Sequence, residues 1–247
     1  MVRSMPVGKN DFVLLEYTTE VKEEGKVIDT TIEKVAREHR IYKEDKVYGP
    51  RLVIIGEGML IKYVEDNIVG MEEGEEKTIE VPPEKGFGHR DPKKIRVVPA
   101  VELSRRGIIP KVNMQVEING RVAVIRSVGS GRVQLDFNHP LAGKTLVYRV
   151  KVVKILKDRK SKVKELVRRW LPTLKPDEID VKTSGKGILN IYLPPRTLLM
   201  EGIGVRKRSI AMDLGKRFGD LREIRFIDVI KLKEKEEKEK KKSESKT

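Results

Sequence analysis

One stretch of this sequence constrains the fold more than any other, the run Asn-His-Pro-Leu-Ala-Gly-Lys-Thr at residues 138–145. A proline and a glycine so close together break regular structure and are typical of a turn. Residues 132–137 before the turn and residues 146–155 after it alternate apolar with polar side chains, which is typical of β-strands. The turn is therefore predicted to return the chain from one β-structure into a long strand of another.

The amino-terminal part is predicted to be strands around a single helix. The stretch at residues 32–50 is polar and is predicted to contain one helical turn near residues 33–40. Gly56-Glu57-Gly58 is predicted to open the main helix, because the apolar residues Leu60, Ile61, Val64, Ile68 and Met71 then recur with a period near 3.6. Strands are predicted at four places, residues 12–21, 27–31, 52–55 and 77–81.

A set of residues occurs along the chain in a characteristic order: Tyr17, Asp29, Gly56, Leu60, Ile61 and Gly86-Phe87-Gly88. Their order and spacing resemble those of an FKBP catalytic domain, and the turn at 138–145 resembles that of the SlyD-type branch of this family. The resemblance covers residues 11–88 and 138–156, and motifs in the correct order are far more specific together than singly. It implies an α+β fold, in which a curved antiparallel sheet wraps around a short helix. It also implies peptidyl-prolyl cis–trans isomerase activity with no cofactor and no metal.

By this resemblance, seven residues are predicted to form the isomerase site. Such a site is an apolar pocket with few polar groups, because a dry pocket favours the twisted amide of the transition state over the planar one. Each of the seven residues, taken singly, is an ordinary core or turn residue, so the prediction depends on their order along the chain. They are Tyr17, a phenol that can hydrogen-bond; Asp29, a carboxylate at the rim; Leu60 and Ile61 at the helix start, where the Ile61 N–H holds a substrate carbonyl; Val64, the floor; Phe87, the aromatic wall; and Tyr148, the inner wall.

The sequence departs from the usual family pattern around this pocket. Val64 stands where the family often has tryptophan, which predicts a wider floor, and Tyr63 replaces the glycine that usually precedes it. Arg51 and Val53 occupy two positions where aromatic residues are common, and Phe87 replaces a tyrosine. These departures argue against tight binding of macrolides.

Residues 89–137 do not fit the catalytic sheet and resemble the insert-in-flap domain of SlyD-type proteins. Residues 112–118 and 122–125 alternate as strands on either side of Asn119-Gly120, the strongest short hairpin signal. The resemblance implies a small all-β domain that holds unfolded chains. Its predicted apolar chaperone surface is Ile108, Ile109, Val112, Met114 and Val116.

After the catalytic part, an α-β-β-α-β domain is predicted. Its first helix carries Val163, Leu166, Val167, Trp170 and Leu171 on one face and is stopped by Pro172. Long FKBPs of archaeal type carry an extra carboxy-terminal domain that serves dimerisation, so the resemblance implies a homodimer. The histidine-rich metal tail of SlyD is absent. The predicted domains are residues 1–88 with 138–157 (catalytic), 89–137 (insert), 158–230 (carboxy-terminal) and 231–247 (a charged tail).

Composition leaves an alternative open, a basic module that binds ribosomal or other RNA through residues 158–247. The formal net charge is +15, and lysine and arginine outnumber acids by seven in residues 158–230. Gly202–Arg208 places glycines and three cations at a helix start, where anions bind, although a solvated helix start is the ordinary explanation. The chain has no cysteine, three histidines and no long apolar run. We therefore expect a cytoplasmic protein without a membrane span. The FKBP resemblance implies that its partners are unfolded or nascent polypeptides that contain proline.

Overall fold

The computed structural model describes residues 5–230. The chain divides into two compact units, Met1–Ile155 and Leu156–Thr247. The predicted charged tail at 231–247 lies outside the described residues. Between residues 5 and 230, no helix is both long enough and apolar enough to cross a membrane.

The first unit contains three helices and nine strands in its described residues. The helices are α1 (Glu33–Glu38), α2 (Lys62–Ile68) and α3 (Ala100–Ser104). The strands are β1 (Phe12–Val21), β2 (Lys26–Thr30), β3 (Arg51–Ile54), β4 (Glu76–Val81), β5 (Ile95–Pro99), β6 (Gln115–Ile118), β7 (Arg121–Gly129), β8 (Arg132–Asp136) and β9 (Leu146–Leu156).

Five of these strands form one sheet around α2, as the FKBP resemblance implies. The strand order is β2-β1-β9-β4, and β3 also pairs with β1. The first half of β1 pairs antiparallel with β3 and its second half with β2, with a register shift between Thr19 and Glu20. Such an irregularity bends a strand, which fits a sheet that curves around its core. Val64 and Ile68 of α2 are fully buried against this sheet.

Helix α2 begins later than the sequence pattern predicts. Leu60 and Ile61 precede it, and Met71 lies beyond its end. Residues 56–60 are instead a loop, and Gly56 has a φ of +94°, which glycine adopts without strain. The buried carboxylate of Glu65 accepts hydrogen bonds from three backbone N–H groups of this loop. These bonds hold the loop in a non-helical conformation, so α2 does not extend back through residues 56–60.

The insert has its own sheet and its own core. Its strand order is β5-β8-β7-β6, and all three pairs are antiparallel. The Asn119-Gly120 turn joins β6 to β7, which confirms the predicted hairpin. The predicted strand at 112–118 is wrong in its first half, because Asn113 has a φ of +68° and β6 begins only at Gln115. The sequence pattern also missed β5 and α3.

An asparagine and an aspartate tie the insert to the catalytic sheet. Asn138 accepts a hydrogen bond from the Asp91 N–H (2.9 Å) and donates from Nδ2 to the Asp91 carbonyl (3.0 Å). The carboxylate of Asp136 is buried and accepts hydrogen bonds from Arg90, Arg126 and Asn138. The entering and leaving segments of the insert are thus held side by side by the first residue of the turn at 138–145.

The second unit has the predicted α-β-β-α-β order. Its elements are α4 (Arg159–Trp170), β10 (Asp180–Ser184), β11 (Ile188–Leu193), α5 (Ile203–Arg217) and β12 (Glu223–Asp228). β11 lies at the centre of the sheet, antiparallel to β10 and parallel to β12. The Asp158 carboxylate caps α4 by accepting from the Ser161 N–H (2.8 Å). Four of the five residues in the predicted apolar stripe of α4 are fully buried: Val163, Leu166, Val167 and Leu171.

Candidate active site

A cavity of about 280 Å³ lies on the catalytic sheet, and six of the seven predicted site residues line it. They come from separate parts of the chain: Tyr17 from β1, Asp29 from β2, Leu60 and Ile61 from the loop before α2, Phe87 from the segment after β4, and Tyr148 from β9. Val64, the predicted floor, does not line the cavity. It is fully buried in the core, which also contains Tyr17 and Tyr148.

Three polar residues of the cavity lining, Tyr17, Asp29 and Arg51, belong to one connected network. The Tyr17 hydroxyl donates to Asp29 Oδ2 (3.0 Å) and accepts from Arg51 Nη1 (3.3 Å). Lys46 Nζ lies 2.5 Å from Asp29 Oδ1 and also donates to the Thr30 carbonyl (2.9 Å). The charge of Asp29 is therefore balanced by Lys46, and the polar edge of the cavity is fixed in place.

Both phenols of the cavity stay protonated at physiological pH. Burial raises the pKa of Tyr17 to about 12, and the neighbouring Asp29 carboxylate adds to the increase. Burial also raises the pKa of Tyr148. The two rings lie 6.3 Å apart between centroids and are tilted by 39°. The cavity thus has an aromatic inner wall that carries neutral hydroxyl groups.

Phe87 forms the outer wall of the cavity and stacks on a second aromatic ring outside the lining. The Phe87 ring stacks on the His139 ring, with centroids 4.2 Å apart and an interplanar angle of 3°. His139 is held by the turn itself, because its Nδ1 accepts from the Leu141 N–H (3.2 Å). The Gly143 N–H also donates to the Gly88 carbonyl (2.8 Å), which joins the turn at 138–145 to the Phe87 segment. Phe87 keeps 39% of its surface exposed, so it can contact a ligand that enters from solvent.

The loop before α2 presents a backbone donor beside the cavity. Glu65 Oε1 accepts from the Leu60 N–H (2.9 Å) and Oε2 accepts from the Gly56 N–H (2.8 Å). Within the described residues, no acceptor pairs with the next N–H, that of Ile61. Glu65 therefore positions the loop, while the Ile61 N–H is left available to a ligand.

Sequence reasoning missed half of the lining. Arg51 was noted only as a departure from the family, yet its guanidinium contacts the Tyr17 hydroxyl. Leu141 lies in the turn at 138–145. Pro140 and Gly143 predict the turn, but they do not indicate that the leucine between them lines the cavity. The lining residues absent from the prediction are Thr19, Ile28, Arg51, Met59, Leu141 and Leu146.

The predicted chaperone surface of the insert needs a correction. Val116 is 5% exposed and belongs to the core of the insert, because it faces inward from β6. Ile108 is partly buried and packs against the same core. Ile109, Val112 and Met114 are exposed, and Ile109 is the most exposed of them at 76%.

The fold is that of the FKBP class of peptidyl-prolyl isomerases, and comparisons with known proteins agree. Two family models match, "FKBP26, IF domain" over residues 96–141 and "FKBP26_C-terminal" over residues 159–231. The chain is 44% identical over 146 residues to a short-type peptidyl-prolyl cis-trans isomerase of Methanocaldococcus jannaschii, covering 59% of this chain and 92% of that protein. It is 32% identical over 147 residues to the FKBP-type isomerase SlyD of Helicobacter pylori, covering 57% of this chain and 70% of that protein.

A third relative is a probable FKBP-type 16 kDa peptidyl-prolyl cis-trans isomerase of Pseudomonas fluorescens, 26% identical over 155 residues, which cover 60% of this chain and 91% of that protein. The chain belongs to the FKBP-type peptidyl-prolyl cis–trans isomerases, in the long, SlyD-like form that carries both an insert and a carboxy-terminal domain.

Proposed function

We propose that this enzyme isomerises the peptide bond before proline in the cavity lined by Tyr17, Asp29, Ile61, Phe87 and Tyr148. One observation carries the proposal: residues from distant parts of the sequence, matched by resemblance alone, converge on one cavity. No nucleophile or metal is needed for this reaction, because the barrier comes from the resonance of the amide.

The cavity suits the transition state of this reaction better than the ground state. A planar amide has more charge separation than a twisted one, so an apolar, aromatic cavity favours the twisted form. The Ile61 N–H would hold the carbonyl of a substrate residue, while the aromatic rings of Phe87 and Tyr148 enclose the proline ring. A positioned donor that keeps its orientation costs no reorganisation during the reaction.

The ion pair between Lys46 and Asp29 supports this mechanism. An unpaired carboxylate in the cavity would draw in water and favour the planar amide. Because Lys46 neutralises Asp29, and the Tyr17 hydroxyl donates to it, the carboxylate serves to orient the phenol.

We further propose that the insert holds unfolded chains and delivers them to the cavity. Ile109, Val112 and Met114 are exposed on it, and methionine suits binding to varied apolar surfaces. Four more valines of the insert, Val97, Val101, Val122 and Val128, are also exposed. The clients would be unfolded or nascent polypeptides that contain proline, in the cytoplasm.

For the second unit we propose a homodimer. Four of the five residues of its α4 stripe are already buried and need no partner. By contrast, Leu199 is 90% exposed, and Val205 and Met212 are exposed on α5 seven residues apart. Residues at this spacing lie on one helix face. The RNA-binding alternative receives less support, because Arg159, Lys160 and Arg196 pair with acids of the same unit.

The proposed activity is tested with the intact chain and a short proline peptide in a protease-coupled assay. A substoichiometric amount of enzyme should accelerate the cis-to-trans step. An unchanged rate at every enzyme concentration would refute the proposal.

A further inference from the structure

A second cavity, of about 320 Å³, adjoins the active-site cavity and shares Ile28 and Asp29 with it. We call it the basic side pocket and define it by five lining residues, Arg40, Tyr42, Lys43, Lys46 and Tyr48. It lies where the polar stretch at 32–50 returns to the sheet. Asp29 is its one acidic lining residue, and Lys46 already pairs with that carboxylate.

The remaining cations of the basic side pocket are uncompensated. In the part of the chain that the structure describes, neither Arg40 nor Lys43 has an ion-pair partner. The Tyr48 hydroxyl accepts a hydrogen bond from the Lys43 N–H (3.0 Å), so its own proton remains to be donated. Two free cations and a phenolic donor facing one concave space form a binding site for a carboxylate.

The backbone at Arg40 supplies an independent observation. Helix α1 ends in a motif in which the Arg40 N–H donates to the Arg37 carbonyl (3.1 Å) and the Ile41 N–H donates to the Ala36 carbonyl (2.9 Å). Arg40 occupies the left-handed position of this motif, with a φ of +56°, where glycine is usual. A long cationic side chain at a position that costs it conformational energy points to a role for that side chain.

The aromatic residues give the pocket a fixed shape. Tyr42 and Tyr48 stack with centroids 5.4 Å apart, and the Arg37 guanidinium lies 3.6 Å from the Tyr42 ring centroid. Arg37 is itself paired with Glu33, so it braces Tyr42 without adding a free charge to the pocket.

We propose that the basic side pocket binds an acidic side chain, glutamate or aspartate, of the substrate polypeptide and so gives the isomerase a preference for acidic residues near proline. The inference rests on the proposed function, because the substrate must occupy the adjoining cavity. An extended chain advances about 3.3 Å per residue, so the acidic residue would lie within about three positions of the proline.

The test measures cis–trans exchange by NMR, without a protease, in peptides that carry glutamate or glutamine at each of the three positions on either side of proline. At one position, the parent enzyme should have a kcat/KM about threefold to fivefold higher for glutamate than for glutamine, as expected for an exposed ion pair. This preference should fall at high salt.

Two variants and one control test the assignment. Lys43→Glu should abolish or reverse the preference, and Arg40→Gly should reduce it. Arg40→Gly should also leave the unfolding midpoint unchanged or raise it, because glycine suits this backbone position. Lys34→Glu makes the same charge change on α1 outside the pocket and should keep the preference.

Equal rates for glutamate and glutamine peptides at every position would overturn the inference, as would a preference that survives in both pocket variants. Neither result affects the proposed function, which fails only if the glutamine peptides are not isomerised either.

Discussion

Removing the Phe87 ring should separate catalysis from folding. The Phe87 side chain is 39% exposed, so Phe87→Ala loses only part of the burial of a phenyl group. We therefore expect the free energy of unfolding to fall by at most about 1.5 kcal/mol. The same change removes one wall of the cavity and the stacking partner of His139. We therefore predict at least a tenfold loss of kcat/KM, equivalent to about 1.4 kcal/mol of transition-state stabilisation.

Tyr17 needs a substitution that preserves its ring, because it is 3% exposed and belongs to the core. Tyr17→Ala should also lower kcat/KM at least tenfold, but it should cost about 3–5 kcal/mol of stability, so its activity loss alone would be ambiguous. Tyr17→Phe keeps the ring and removes the hydrogen bond to Asp29. Because that carboxylate is partly exposed and keeps Lys46, we expect a stability loss of about 1 kcal/mol.

The assay is the protease-coupled measurement on a proline peptide, with folding checked by circular dichroism and urea titration. Val69→Ala is the matched control, since Val69 is an exposed apolar residue of the same unit (46%) that does not line the cavity. If Phe87→Ala is folded and isomerises the peptide at the parent rate, the cavity is misassigned.

Three further predictions concern the insert, the second unit and the response to pH. Replacing residues 89–137 by a short loop should leave the turnover of a small peptide unchanged, since the insert has its own sheet and core. The same variant should catalyse the proline-limited refolding of a whole protein more slowly than the parent. Equal refolding catalysis with and without the insert would exclude the chaperone role. Light scattering of the parent protein should give twice the 28.3 kDa mass of the chain, and the Val205→Glu variant should have the mass of the monomer. A monomeric parent together with salt-sensitive RNA retention would favour the RNA-binding alternative. Because the pKa of Tyr17 is raised to about 12, the folded state keeps a proton that the unfolded state loses near pH 10, so stability should fall between about pH 10 and 12. Urea titrations at pH 9 and 11 should show a larger fall for the parent than for Tyr17→Phe, and equal falls would contradict the assignment.

The elements that the sequence predicted well are those with a long, unbroken pattern. β1 spans the predicted residues 12–21, and α4 contains the predicted stripe, because period-2 and period-3.6 patterns persist there over ten residues or more. β5 was missed because it is only five residues long and ends in Pro99, which is tolerated since β5 lies at the edge of its sheet.

The residues that line the cavity were predicted where family motifs exist and missed where tertiary contacts alone decide. Nothing in the spacing of Lys46 and Asp29 indicates an ion pair, because only the short helix α1 lies between them and irregular chain leads from it to Lys46. The inward orientation of Val116 depends on which face of the insert sheet is covered, and alternation by itself does not indicate which face that is. The role of Glu65 was missed for a similar reason, since a carboxylate on a helix is ordinarily solvated.

The central claim is that proline substrates are isomerised in the cavity beside the Ile61 N–H. The most direct test is an amide NMR titration of the labelled intact chain with a proline peptide that is undergoing catalysed exchange. We predict that the largest shifts occur at Ile61 and its cavity neighbours and that the peptide's cis and trans signals exchange faster. Shifts confined to the insert, or catalysed exchange without any change at Ile61, would contradict this account.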